Sequence, residues 1–270
     1  MSSLSDRLKS LGVKVGAQDL PRPTRQTYPI DQVVDGRFLA TRFGETFTVE
    51  ALYPPEYRHG QMALSVTASL QMIAEWGRTN HLAECDPNGF MFLDTETTGL
   101  SGGTGTYAFL VGVGHFSPTG FQLSQFFMRD PAEEPAMLAA LTDYLDPCQA
   151  LVTYNGKAFD APLLNTRYTL QGFTPPLPNL AHLDLLPLAR RLWRDRLPSR
   201  TLSYIETNVL GANRTQEEVP GWMIPQMYFD YLRSADARPL RGVLYHNAMD
   251  ILALAALFCR TVEMLARPLE

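Results

Sequence analysis

Phe90-Met91-Phe92-Leu93-Asp94-Thr95-Glu96-Thr97-Thr98-Gly99-Leu100 decides how the rest of the chain is read. Its first four residues form an apolar run, and the run ends on two carboxylates at i and i+2. Residues two apart on a strand point to the same face, so Asp94 and Glu96 project together from one end of a buried strand. Two such anions repel, and burying them costs several kcal/mol unless a cation sits between them. A divalent ion such as Mg²⁺ or Mn²⁺, which takes oxygen ligands, is the natural occupant. Taken alone, the pattern also describes a strand that ends in a solvated acidic turn.

Two further carboxylates follow in defined settings. Leu151-Val152-Thr153-Tyr154-Asn155-Gly156-Lys157-Ala158-Phe159-Asp160 reads as a short strand and a turn, with Asp160 opening a helix. Tyr245-His246-Asn247-Ala248-Met249-Asp250 lies in a helical segment rich in Ala and Leu. The ordered series Asp-Thr-Glu-Thr-Thr-Gly, Asn-Gly-Lys-x-Phe-Asp and His-Asn-x-x-Asp resembles the DEDD superfamily of 3′–5′ exonucleases, on a ribonuclease-H-like fold. The stretch from Ser101 to Tyr107, together with Leu183-Asp184-Leu185-Leu186 and Arg190-Arg191-Leu192-Trp193, looks like the YprB-like bacterial branch. The resemblance covers roughly residues 89–265.

The resemblance implies an α/β domain with a mixed central sheet and helices on both faces. It also implies two divalent cations, Mg²⁺ or Mn²⁺, about 3.5–4 Å apart on either side of a scissile phosphate. Asp94 would bridge both ions, Glu96 and Asp250 would complete the site of the water-activating ion, and Asp160 would serve the second. The implied activity is 3′–5′ hydrolysis of single-stranded DNA or RNA. A structure-selective endonuclease on the same fold, or a weakly catalytic nucleic-acid-binding module, stands as the alternative.

The third motif departs from both family versions, Tyr-x-x-x-Asp and His-x-x-x-x-Asp. Here His246 precedes Asp250 by four and Tyr245 precedes it by five, so the identities are exchanged. Residues at i and i+4 share a helix face, which makes His246 the better candidate to touch the attacking water. Thr97, Asn155, Lys157, Asp184, Arg190, Arg191 and Tyr245 are candidate substrate contacts. Asp184 is either a fifth acid or the cap of the helix that starts near Leu185. Around Trp193 the dense basic run Arg190–Arg200 is either a grip on a single strand or a solvated helix face. The glycine-rich stretch Gly99–Gly105 lacks the Gly-Lys-Ser/Thr of a phosphate-binding loop, and a strand follows it, not a helix. It reads as a strand connection or as a place where the terminal nucleotide comes close to the metals.

The chain has 270 residues, 45% of them hydrophobic, which excludes global disorder. Its net charge of −5 argues against tight, metal-free coating of nucleic acid. No apolar run approaches the roughly 18 residues of a membrane span. Met1–Lys9 carries no apolar stretch of the secretory kind, and Cys85, Cys148 and Cys259 match neither a disulfide framework nor a zinc spacing. A cytoplasmic protein is the expectation.

Residues 1–88 are expected to form an accessory region: a short helix over Ser5–Leu11, an arm around Pro21 and Pro23, and a hairpin from Phe38–Phe43 and Thr46–Tyr53. Residues 89–270 are expected to form the catalytic domain. It begins with strands at 90–95, 107–116 and 121–128, a helix from Glu133, a strand at 150–154 and a helix from Phe159. After Pro178 the chain is expected to be helical to the end, through Leu185–Arg194, Leu202–Val209, Ile224–Leu232 and Val243–Ala266.

Overall fold

The computed structural model describes residues 26–99 and 104–267. The helix expected at Ser5–Leu11, the arm around Pro21 and Pro23, and residues 100–103 of the glycine-rich stretch lie outside the described residues. The chain runs through α1 (Ile30–Val33), β1 (Arg37–Thr41), β2 (Gly44–Tyr53), β3 (Arg58–His59), β4 (Met62–Ala63), α2 (Gln71–Gly77), β5 (Phe90–Thr97), β6 (Ala108–Ser117) and β7 (Gly120–Phe127). It continues through α3 (Glu134–Leu145), β8 (Ala150–Thr153), α4 (Asp160–Leu170), β9 (Ala181–Asp184), α5 (Leu185–Leu192), α6 (Leu202–Ile205), α7 (Ile224–Ser234) and α8 (Leu240–Ala266).

The central sheet has seven strands in the order β1-β2-β7-β6-β5-β8-β9. β5, β6 and β7 form the expected antiparallel meander, while β8 runs parallel to β5 and β9 parallel to β8. Period-two alternation divides β5 between two cores. Phe90 and Phe92 enter the core shared with α2, α5 and most of α8, whereas Met91 and Leu93 enter the core shared with α3, α4 and α7. Helices therefore cover both faces of a mixed sheet. Among the described residues no helix is long and apolar enough to cross a membrane.

Three expectations need correction. The hairpin is not a separate accessory element: β2 pairs with β7 from Phe47 opposite Phe127 to Tyr53 opposite Phe121. The 88/89 boundary therefore cuts through one sheet. Most of β7 is buried, and an uncovered edge there would leave backbone donors and acceptors without partners. Second, the segment after Pro178 is not wholly helical, because Ala181–Asp184 forms edge strand β9. Four residues are too few to display a period, and pairing with β8 supplies what the local pattern does not. Third, the helix expected over Leu202–Val209 is α-helical only to Ile205. It widens to a π turn over Glu206–Leu210 and stops at Gly211, whose φ of 68° is left-handed.

α3 and α4 are joined by a buried pair. Arg167 Nε and Nη2 donate to Glu134 Oε1 and Oε2 at 2.5 and 2.6 Å, and Nη1 donates to the Thr104 carbonyl at 2.7 Å. The same guanidinium lies 4.0 Å from the centre of the Tyr107 ring. It thus fixes the end of the glycine-rich loop to α3 and to α4, the helix that lines the cleft described below. Arg167→Met should strand Glu134 and destabilise the fold by about 3–5 kcal/mol, measured by urea unfolding. A loss below about 1 kcal/mol would show that the pair is dispensable.

Candidate active site

β5 pairs with β8 only from Phe90 to Phe92, so its last residues run past the end of the parallel pairing. Beyond β5 the chain turns to β6 on one side, and β8 leads on to β9 on the other. Ligand crevices in α/β sheets open outside the carboxyl ends of strands where the connections diverge in this way. A cleft of about 540 Å³ opens here, lined among others by Asp94, Thr95, Thr97, Gly99, Tyr154, Asn155, Phe159 and Asp160.

Strand parity places Asp94 and Glu96 on the α8 side and Thr95 on the α4 side. Asp94 accepts a 3.0 Å hydrogen bond from Asn247 Nδ2. Asn247 is fully buried, and its Oδ1 accepts from Gln125 Nε2 at 2.9 Å. Gly112 lies opposite Asp94 on β6, and a Cβ there would collide with the Asn247 amide. On the other side, Thr95 Oγ1 donates to Asp160 Oδ1 at 2.6 Å.

The four expected carboxylates lie near enough to act on one another electrostatically, and Asp94 and Asp160 line the cleft. Burial, then Asp250, Glu96 and Asp160, hold the Asp94 carboxyl well above its usual range, against a lowering hydrogen bond from Asn247. Burial, then Asp250, Asp160 and Glu218, push Glu96 to about 8 against the pull of Arg214. Asp160 is raised chiefly by burial, opposed by the Thr95 hydrogen bond.

His246 shares a face with Asp250, with Nε2 3.5 Å from Asp250 Oδ2 and Nδ1 2.6 Å from Glu218 Oε1. The Tyr245 hydroxyl instead accepts from Thr215 N at 2.8 Å. Thr97 lines the cleft and donates to the Gly99 carbonyl. Asn155 lines it in a left-handed conformation with φ 66°. Lys157 is exposed and is not among the lining residues.

Asp184 serves as the cap of α5. Its Oδ1 accepts from Leu186 N at 3.0 Å and Asn155 N at 2.7 Å, and its Oδ2 from Lys157 N at 3.1 Å. All of these donors are backbone groups of α5 and of the turn that carries Asn155. Trp193 is buried in the core, while Arg190 and Arg191 are exposed.

Four contributors escaped the sequence reading. Asn247 stands inside the third motif, where its neighbour to Asp250 drew the attention. Thr95 lies between the two acids of the first motif and reads as a spacer. Arg214 and Glu218 come from an irregular segment with no periodicity. Arg214 donates to Glu206 Oε2 at 2.7 Å, to Glu218 Oε1 at 3.0 Å and to Asp250 Oδ1. Only the i, i+4 spacing of Arg214 and Glu218 hints at this.

The profile of the family described as RNase_H superfamily (RNase_H_2) matches residues 91–262. The chain belongs to that superfamily, and its sheet is the ribonuclease-H-like one. It is 37% identical over 215 residues to the uncharacterized protein YprB of Bacillus subtilis (strain 168), across 77% of this chain and 51% of that protein. The chain thus spans about half the length of that relative. Among solved structures, exonuclease I aligns at 14% identity and TM-score 0.46, over 66% of this chain and 41% of the other. The family B DNA polymerase of the archaeon Pyrobaculum calidifontis aligns at 14% identity and TM-score 0.43, over 66% and 26%.

The raised acids make stability depend on pH. The Glu96 carboxyl rises from an ordinary 4.5 to about 8 on folding, so its contribution is full below the unfolded value and lost as pH rises through the folded one. Glu96→Gln removes that loss. With a chelator present, the variant should match wild type in melting temperature near pH 4, then gain on it with rising pH to a plateau above about pH 8. A difference that does not vary with pH would contradict the strained-acid account.

Proposed function

We propose that this chain is a metal-dependent 3′–5′ exonuclease that hydrolyses phosphodiester bonds in single-stranded DNA or RNA. The observation that carries the reading is the proximity of Asp94, Glu96, Asp160 and Asp250 at the end of β5, where Asp250 and Asp160 raise the proton affinity of Asp94 and Glu96.

The donor set fits hard divalent cations: it is all oxygen and strongly anionic, and Glu218 Oε2 beside it is buried with no hydrogen-bond partner. Among the described residues no three carboxylate or imidazole groups yet close around one point. Asp250 is turned toward Arg214 and Asp160 toward Thr95, which accounts for the open arrangement. Asp94, Glu96 and Asp250 would hold one ion, and Asp94 with Asp160 a second. Bound Mg²⁺ or Mn²⁺ supplies a more acidic water and a positive charge for the leaving oxygen.

The protein's own groups supply position. Asn247 and Thr95 aim Asp94 and Asp160 from opposite faces of the sheet. With Nδ1–H donated to Glu218, His246 keeps a lone pair on Nε2 on the Asp250 side, able to take a proton from an attacking water. Phe159 and Tyr154 give the cleft aromatic walls suited to one unpaired terminus. The alternative of a weakly catalytic binding module has one observation in its favour: Arg214 already neutralises Asp250.

Linear single strands should be shortened from the 3′ end in Mn²⁺ or Mg²⁺ and remain intact in EDTA. Asp94→Asn should slow cleavage by about 10³-fold or more. Metal binding without turnover would favour the binding module, and equal cutting of a closed circular strand would favour an endonuclease.

His246→Ala should slow single-turnover cleavage by about 10²–10⁴-fold with little change in metal affinity. Tyr245→Phe should be mild, because its hydroxyl serves the Thr215 amide. The reverse ranking would assign the water to Tyr245.

A further inference from the structure

Beside the cleft lies a second concavity lined by one aromatic and four guanidinium side chains: Trp76, Arg190, Arg191, Arg194 and Arg200. Arg190, Arg191 and Arg194 come from α5 and the turn after it, are exposed, and among the described residues pair with no carboxylate. In a chain of net charge −5, four unneutralised guanidinium groups around one hollow need a reason.

Arg191 is held in place. Its guanidinium carbon lies 4.3 Å from the centre of the Trp76 ring, and Nη1 donates to the Trp76 carbonyl at 3.1 Å. The ring fixes the plane of the guanidinium, which leaves its remaining N–H groups free for a planar oxyanion. Trp76, from α2, thus takes the aromatic part that the sequence offered to Trp193.

Tyr154 joins the wall of the cleft to the wall of the hollow. Tyr154 lines the cleft with Asp94 and Asp160, and its hydroxyl donates to the Arg200 carbonyl. Arg190 and Arg200 both act on its ionisation. A strand with its terminus among the acids would pass Tyr154 and come onto the arginines.

We infer that the Trp76–Arg190–Arg191–Arg194–Arg200 hollow binds the phosphates of a single-stranded nucleic acid a few nucleotides inward from the end held in the cleft. The inference rests on the cleft being a nuclease site. Guanidinium forks match phosphate geometry, and a site that follows the backbone is indifferent to sequence. The carboxylates in the cleft repel the same backbone, so holding the strand falls to cations placed outside it.

Salt dependence tests this. Binding of a 5′-labelled oligothymidylate of about 16 nucleotides is followed by fluorescence anisotropy in EDTA, over a range of salt. Each phosphate contact on a single strand contributes about 0.7 to the slope of log K against log salt. Arg190→Ala, Arg191→Ala and Arg194→Ala together should lower the slope by about 2 and weaken binding roughly ten- to hundredfold at low salt. The triple lysine variant, which keeps the charge, should keep the slope. Should the alanine variant fold poorly, Arg190→Gln with Arg194→Gln alters exposed positions only and should lower the slope by about 1.4.

An unchanged slope in these variants overturns the inference and leaves the cleft's function standing. Displacement of the strand by polyglutamate as readily as by unlabelled oligonucleotide also overturns it, in favour of an acidic polypeptide. A wild-type protein that binds strands but fails to cleave them in Mn²⁺ removes the nuclease reading and leaves the hollow as a nucleic-acid site.

Discussion

Like charges that must stay close have to be held by neutral groups, and that requirement organises the middle of this protein. A cation fixed against Asp94 would cancel the repulsion among the acids, and the support Asp94 has is instead an amide. Asn247 gives Asp94 its hydrogen bond, Gln125 on β7 donates to Asn247, and Gly112 on β6 leaves room for the Asn247 amide. Three strands and α8 are thereby committed to one carboxylate. A buried network of this kind is favourable only when every member is satisfied, which ties the register of the meander to the site. Thr95 does the corresponding work toward α4, and the alternation of β5 lets one strand serve both faces.

Residues that act through local pattern were legible in the sequence. The apolar run of β5, the alternation that makes Asp94 and Glu96 neighbours, and the shared face of His246 and Asp250 follow from the periods of strand and helix. What escaped depends on partners distant in the chain. β9 owes its existence to β8. Asp184 became a cap because the backbone N–H groups of the 155–157 turn arrive beside it, and no spacing within 183–186 announces that turn. Arg214 acquires meaning only from three carboxylates, two of which, Glu206 and Asp250, belong to other helical segments.

Arg214 also ties the strands before β5 to the candidate site. His59 on β3 pairs with Glu206 at 2.8 Å, Glu206 pairs with Arg214, and Arg214 pairs with Asp250. Glu206 and His59 are buried, so loss of either partner would leave an uncompensated polar group inside the fold. The π turn at Glu206–Leu210 belongs to the same chain of contacts, since it is the segment that carries Glu206. β1 and β2 support the sheet while β3 supports the acids. Strands β1 to β3 are therefore connected to the candidate site by two routes.

The distribution of charge follows from the same constraint. If the acids hold metal ions as proposed, cations placed among them would compete with those ions, and Arg214 would do so, since it donates to the Asp250 oxygen that an ion would need. Cations that serve the substrate are better kept where no ligand carboxylate can reach them. α5 meets that condition: Asp184 caps its N-terminus and is used up by backbone N–H groups, and its arginines face outward over Trp76. A net charge of −5 for the whole chain therefore does not decide what the surface beside the cleft can hold.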